Sequence, residues 1–187
     1  MTKQDDIDFD FWKIDKLIPD CVCNLLINQY GSWESGTVSD NNLYDKRSRQ
    51  SDVSWIEETF WLSSFFKIMS DANQNSGLNF NITDITPMQL TRYVAPDGHY
   101  DFHLDSNGHT KNPDGVVRKL SMTILLNDSK DFEGGQLEFF TTNKPHPVNL
   151  EKGDVVIFPS FYLHRVTPVK KGTRYSLVGW VTGEPFK

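Results

Sequence analysis

Gly98-His99-Tyr100-Asp101-Phe102-His103-Leu104-Asp105 is the stretch whose period decides the fold. On an extended strand residues two apart share a face, so His103 and Asp105 point one way and Leu104 the other. The same period continues from residue 80 to the end of the chain. Strands are predicted near 86–95, 99–105, 118–127, 135–141, 146–150, 154–158, 163–168 and 173–182, eight in all. Turn signals separate them: Pro96-Asp97-Gly98, Asn112-Pro113-Asp114-Gly115, Gly134-Gly135, Glu151-Lys152-Gly153-Asp154 and Lys171-Gly172. Short, evenly punctuated strands with helices confined to the first half predict an α+β chain. Its core is a double-stranded β-helix, that is, a jelly-roll or cupin-like antiparallel barrel.

Upstream of that core the pattern is mixed. Residues 1–20 alternate acidic and aromatic side chains, with Phe9, Phe11, Trp12, Ile14, Leu17 and Ile18 suited to an edge strand or an arm laid across the barrel. Asp20 is placed to cap a helix over 21–30 that stops at Gly31. A short strand over Trp33–Val38 follows, then a polar loop 39–51 with Lys46, Arg47 and Arg49, which is either a solvated face or a substrate-side contact. Val53, Ile56, Phe60, Leu62, Phe65, Phe66 and Met69 predict one long amphipathic helix over 52–75, capped by Ser51 or Asp52 and closed by Gly77 and Asn79. Its aromatic stripe reads as core. The expected organisation is a single domain, 1–187, with N-terminal helical support over 1–79 and the jelly-roll core over 80–187.

At 187 residues and 37% hydrophobic content, the chain is long enough to bury roughly 70% of its unfolded surface without staples. A net charge of -6 disfavours nucleic acid as a partner, since phosphate-backbone binding needs a concentrated excess of Lys and Arg. No run approaches the ~18 apolar residues of a spanning helix, so no membrane partner is expected. Met1–Asp8 is too acidic for a signal peptide, which makes the cytosol the expected compartment, the host's cytosol if the source is viral. Cys21 and Cys23 would point about 200° apart on a helix and are read as reduced thiols.

A third donor joins His103 and Asp105. His164 lies among apolar residues in Phe158-Pro159-Ser160-Phe161-Tyr162-Leu163-His164-Arg165-Val166, at the start of another predicted strand. Two imidazoles and a carboxylate that leave coordination positions open form the facial set of non-haem Fe(II) oxygenases. Arg174, on the following strand, carries a planar fork that can pair bidentately with a carboxylate inside a pocket, and Ser176 points the same way. His99 would share the face of His103 only on an unbroken strand. His109 falls in the polar stretch 106–117, which is read as a lid over substrate. His146, between Pro145 and Pro147, is read as structural.

Over roughly residues 86–183 the chain resembles the Fe(II)/2-oxoglutarate-dependent dioxygenases, specifically their prolyl 4-hydroxylase-like branch. The resemblance rests on His103-Leu104-Asp105, His164 and Arg174 in combination with several further pieces. These are Tyr93, Arg118-Lys119-Leu120-Ser121 leading to Leu125-Leu126-Asn127-Asp128, Phe132-Glu133-Gly134-Gly135-Gln136-Leu137, Lys152 to Pro159, and Gly172-Thr173-Arg174-Tyr175-Ser176-Leu177. It implies Fe(II) on His103, Asp105 and His164, with 2-oxoglutarate chelating the metal through its 2-oxo acid and reaching Arg174 with its distal carboxylate. Tyr93, Ser176 and the aromatic Trp180 are then cofactor-binding, and O2 is the oxidant. L-ascorbate would restore iron that oxidises without product. Ile124 stands at or near a position where some relatives place a co-substrate-binding Tyr. Collagen-type enzymes usually carry Lys where Arg174 stands, so this chain is more similar to oxygen-sensing and bacterial relatives.

The implied reaction is hydroxylation of an unactivated carbon with release of succinate and CO2, on a peptidyl proline in a proline-containing protein or peptide. A free amino acid or a nucleobase is the alternative substrate. A non-catalytic cupin-like barrel binding metal or another ligand is the alternative outside enzymes, and it has no use for the Arg174 fork. The ending Gly183-Glu184-Pro185-Phe186-Lys187 is similar to small microbial or viral members. Oligomeric state is not specified by the sequence.

Overall fold

The computed structural model describes residues 11–37, 45–106, 115–141 and 143–186. In chain order the elements are β1 (Trp12–Ile14), α1 (Asp20–Gln29), β2 (Glu34–Ser35), β3 (Arg49–Gln50), β4 (Asp52–Ile56), α2 (Thr59–Asn75), β5 (Asp84–Ile85) and β6 (Met88–Val94). Then follow β7 (Gly98–His103), β8 (Val117–Leu125), a single 3-10 turn (Ser129–Asp131), β9 (Phe132–Gly134), β10 (Leu137–Thr141), β11 (Lys144–Val148), β12 (Val155–Pro159) and β13 (His164–Gly183). All pairings are antiparallel. A major sheet runs β1-β12-β8-β13-β6-β4-β2 with β5 also on β13, and a minor sheet joins β11, β10, β13, β7 and β3 with β9 on β13. This is the jelly-roll architecture that the evenly punctuated strands predict.

One strand belongs to both sheets. Residues 164–169 of β13 pair with β10 and β7, whereas residues 173–178 pair with β6 and residues 176–183 with β8. The predicted strands 163–168 and 173–182 are therefore halves of a single strand. Lys171-Gly172 bends the chain without reversing it. Gly172 has φ +74°, and any side chain there would run into the Asp131 carbonyl, so the bend needs glycine.

The predicted helix 52–75 is also corrected. Its first five residues form β4, paired along its length with β6 and tied by an Arg92–Asp52 ion pair at 2.8 Å; the helix begins only at Thr59. Val53 and Ile56 are buried as the helical spacing requires, but two apolar residues three apart fit a short strand equally well. Neither Ser51 nor Asp52 caps α2; Glu58 holds the N-cap position in extended conformation. In α1, Asp20 lies inside the first turn, where its carboxylate faces the positive end of the helix, and Pro19 precedes it. Of the strand predicted over Trp33–Val38, the described residues contain β2, and the described part of the predicted polar loop contains β3; residues 38–44 lie outside the described residues. β1 is the edge strand expected of the N-terminal segment, paired to β12, while residues 1–10 lie outside the described residues. Cys21 and Cys23 are both free thiols, Cys21 exposed and Cys23 buried.

Alternation along the major sheet sorts side chains by chemistry. Met88 and Leu90 of β6, Leu120, Met122 and Ile124 of β8, and Leu177 and Val181 of β13 pack against Leu26 of α1 and Phe65, Met69 and Ala72 of α2. Each such fully buried side chain contributes roughly 1.5–3 kcal/mol, and this layer holds the helices on the sheet. The residues between them face the minor sheet and are polar: Gln89, Thr91, Ser121, Thr123, Arg174 and Ser176 are all buried. A barrel with a polar interior has been built around something other than its own packing. Among the described residues no helix is long and apolar enough to cross a membrane.

Candidate active site

The pairing of β7 with β13 sets His103 opposite His164. Their ring centroids are 4.2 Å apart. Asp105 lies two residues past the end of β7, in a bend and not in the strand predicted to reach it. Contacts from distant strands fix it there: Ser106 N–H donates to the Ser160 carbonyl at 2.9 Å, and Ser121 Oγ donates to Asp105 Oδ2 at 2.6 Å. Ser121 Oγ is in turn 2.9 Å from Ser160 Oγ. The result is a cluster in which one donor atom from each of His103, Asp105 and His164 lies within 4.8 Å of the others.

Each imidazole is oriented by its own strand. His103 Nδ1 lies 2.7 Å from the Asp101 carbonyl and His164 Nδ1 lies 2.8 Å from the Tyr162 carbonyl. A carbonyl only accepts, so Nδ1 carries the proton in both rings and the Nε2 lone pairs are left free. Those lone pairs face the carboxylate, with His103 Nε2 3.7 Å from Asp105 Oδ1 and His164 Nε2 3.6 Å from Oδ2. These separations are too long for direct hydrogen bonds. They lie close to the roughly 3–3.6 Å that separates donors sharing one divalent cation at bonds of about 2.1 Å. Burial pushes the His103 imidazole below its ordinary value, and the neighbouring His164 adds to this, which keeps the ring neutral and able to ligate. Burial alone would raise the Asp105 carboxyl, but the charge either imidazole takes up on protonation, with Arg118 and the Ser121 hydrogen bond, outweighs it and shifts the carboxyl downward. Two imidazole nitrogens and one carboxylate oxygen are a donor set that fits Fe(II).

Arg174 lies on the interior face of β13, opposite Tyr93 of β6. It is among the most buried side chains of the protein, and its Nη1 donates to Ser176 Oγ at 2.9 Å. No carboxylate accompanies it among the described residues; burial lowers its pKa, and the only charge acting the other way is the Tyr93 phenol, whose ring centroid lies 5.6 Å from the guanidinium carbon. Tyr93 is buried too, and that burial raises its pKa, with Arg49 and Arg174 opposing and Asp105 reinforcing the effect. Arg174, Leu125, Gly135 and Leu137 form part of the wall of a cavity of about 570 Å³. Trp180 is buried beneath the Arg118 guanidinium, 3.9 Å from its ring, and its indole Nε1 has no hydrogen-bond partner among the described residues. A buried donor without an acceptor and a buried cation without an anion both call for a ligand oxygen.

The structure thus brings His103, Asp105 and His164 into one cluster and sets Arg174, Ser176, Tyr93 and Trp180 on the interior face of the neighbouring sheet. His99 stands apart, bound to the Asp97 and Arg47 carbonyls, and His146 lies in β11 outside the cluster. His109 and most of the predicted lid, residues 107–114, lie outside the described residues. Ile124 packs toward the helices, so it cannot face the interior; the side chain beside Arg174 from this strand is Leu125. Sequence reasoning missed the parts Ser121 and Ser160 play beside Asp105. The two hydroxyl residues Ser121 and Thr123, alternating with apolar ones in the run Leu120–Leu126, were the available signal.

Comparison with known proteins joins these observations. The profile of the 2OG-Fe(II) oxygenase superfamily matches residues 88–182, which takes in all three clustered donors and Arg174. The chain belongs to this superfamily. Its cofactors are Fe(II), 2-oxoglutarate and O2. Among curated relatives, a PKHD-type hydroxylase of Nitrosomonas europaea is 40% identical over 93 residues, covering 48% of this chain and 40% of the relative. One from Idiomarina loihiensis is 39% identical over 97 residues, covering 52% and 42%. The chain thus spans about two fifths of the length of these relatives. Of solved structures, a Pseudomonas putida prolyl-4-hydroxylase superposes with TM-score 0.69 at 22% identity, covering 91% of both chains. A Trichoplax adhaerens prolyl hydroxylase in complex with a hypoxia inducible factor peptide fragment superposes with TM-score 0.71 at 25% identity, covering 91% of this chain and 82% of that one. The fold matches that of the prolyl hydroxylases, as expected from the branch that its motifs resemble.

Proposed function

We propose that this protein is a 2-oxoglutarate-dependent dioxygenase that hydroxylates a peptidyl proline in a proline-containing protein or peptide, with release of succinate and CO2. The observation that carries the reading is Arg174, a buried guanidinium without a carboxylate partner among the described residues, on the interior face of a barrel that also holds a two-histidine, one-aspartate cluster. A barrel that merely bound a metal would gain nothing from an unneutralised buried cation.

On this reading His103, Asp105 and His164 hold the metal. Bound Fe(II) supplies the activation of O2, coupled to oxidative decarboxylation of 2-oxoglutarate. Arg174 and Ser176 anchor the distal carboxylate of the co-substrate. Tyr93 closes the pocket above the guanidinium, and the indole N–H of Trp180 is available to an oxygen of the co-substrate. Ser121 keeps the Asp105 carboxylate ionised and oriented, while the two Nδ1–carbonyl bonds keep the Nε2 lone pairs turned inward. Residues 1–187 act as one domain, since the strands before residue 80 extend the sheets that carry the site. L-ascorbate would sustain turnover. The free Cys21 and Cys23 suit a reducing compartment such as the cytosol. A peptide as substrate is supported by the peptide-bound Trichoplax adhaerens relative.

The test is incubation with iron, ascorbate and 2-oxoglutarate, following succinate release and searching proline-containing peptides and free proline for a gain of one oxygen. Hydroxylated peptide with free proline untouched is expected. Succinate formed with oxidation of free proline alone would transfer the activity to small amino acids, and no succinate under any condition would remove the dioxygenase reading.

A further inference from the structure

Arg49, in a segment whose sequence suggests only a polar loop, is buried and fully clamped. Its Nε donates to Ser51 Oγ at 2.8 Å, its Nη1 to the Thr37 carbonyl at 3.0 Å and its Nη2 to Gln89 Oε1 at 2.7 Å. All three acceptors are neutral. The guanidinium carbon lies 4.6 Å from the centroid of the Tyr100 ring. The Tyr100 and His103 rings stack at 3.5 Å between centroids, 12° from parallel. The backbone repeats the connection: Arg49 pairs with Tyr100 and Gln50 with His99 across β3 and β7, and Asp101 N–H donates to the Ser48 carbonyl at 2.8 Å.

We infer that Arg49 is a positioning residue for the metal site, acting through Tyr100 on the plane of the His103 imidazole. The Nδ1–Asp101 bond fixes one point on that ring but leaves it free to rock about the bond. A flat face packed against it removes that freedom, and the face stays in place because a clamped cation sits near its ring. Aiming of a ligand ring by outer neighbours characteristically changes metal affinity by about 10- to 100-fold. The inference rests on the reading of His103, Asp105 and His164 as metal ligands.

Its test uses the full chain stripped of metal and titrated with Co(II) alone, with affinity and the visible d–d spectrum of the bound ion as readouts. Arg49→Met and Tyr100→Leu are each expected to weaken Co(II) binding by about tenfold and to alter the spectrum. Tyr100→Phe, which keeps the ring, restores both. Because Arg49 acts through Tyr100, the double variant Arg49→Met/Tyr100→Leu should bind no more weakly than Tyr100→Leu. Additive losses, or an Arg49→Met protein that melts earlier yet binds Co(II) with unchanged affinity and spectrum, would overturn the inference. Should Arg49→Met fail to fold, equal affinities for Tyr100→Leu and Tyr100→Phe overturn it as well. His103→Ala separates the two layers of argument. Co(II) binding retained in that variant sinks the metal reading and the inference together, whereas binding lost there but intact in Arg49→Met and Tyr100→Leu sinks the inference alone.

Discussion

Replacing Arg174 with Met should separate ligand binding from stability in opposite directions. The guanidinium is buried, has Ser176 Oγ as its hydrogen-bond partner, and forms no ion pair among the described residues. A bidentate pairing with a carboxylate adds two charge-assisted hydrogen bonds, each contributing about 1.5–3 kcal/mol. Allowing for the desolvation of the incoming carboxylate, a net loss of about 3–4 kcal/mol corresponds to roughly 10²- to 10³-fold in 2-oxoglutarate affinity. The unliganded protein should suffer little, because Met fills a similar volume and removes an unneutralised buried charge, against loss of the Ser176 bond, about 1 kcal/mol, and of the Tyr93 ring contact. The assay is succinate release against 2-oxoglutarate concentration, paired with thermal melts without co-substrate. An unchanged 2-oxoglutarate requirement would refute the pocket assignment. So would a protein that melts several degrees lower with its KM intact, since that would make Arg174 a structural residue. Arg174→Lys keeps the charge but not the fork and should fall between Met and the wild type.

Three further outcomes are expected. His103→Ala or Asp105→Ala should abolish succinate release, and Co(II), Ni(II) or Zn(II) should occupy the wild-type site without supporting turnover, measured by metal analysis beside activity. Gly135→Ala should raise the KM for 2-oxoglutarate several-fold with little change in peptide KM, because Gly135 has φ +63° and a methyl there would stand 2.9 Å from Val169 Cγ2 and 3.0 Å from Arg174 Cδ. Asp154→Asn should cost about 1–3 kcal/mol, a fall in Tm of roughly 2–12 °C at this chain length, with the loss seen at neutral pH and shrinking in acid. Burial alone would raise the Asp154 carboxyl, but the Glu151 and Lys16 N–H groups at 2.9 Å and the Lys13 ammonium outweigh it, so the folded pKa lies below the usual 3.8. A lowered folded pKa stabilises above the unfolded value and loses that contribution as pH falls through the folded one. Melts of both proteins from pH 7 down to acid should therefore converge below the usual carboxylate range; a difference constant with pH would count against the carboxylate's role.

The donor types at His103, Asp105, His164 and Arg174, and the alternation that sets Arg174 and Ser176 on one face, are legible without coordinates. Side-chain chemistry and a two-residue period are properties of the chain alone. That Val53 and Ile56 lie on a strand, that two predicted strands are one bent β13, and that Asp105 leaves its strand yet stays beside both imidazoles were decided by tertiary structure. So were the Ser121–Ser160 support of the carboxylate and the stack from Arg49 through Tyr100 to His103. Each of these depends on which distant segments meet, and a local period says which way a side chain points without saying what it will find there.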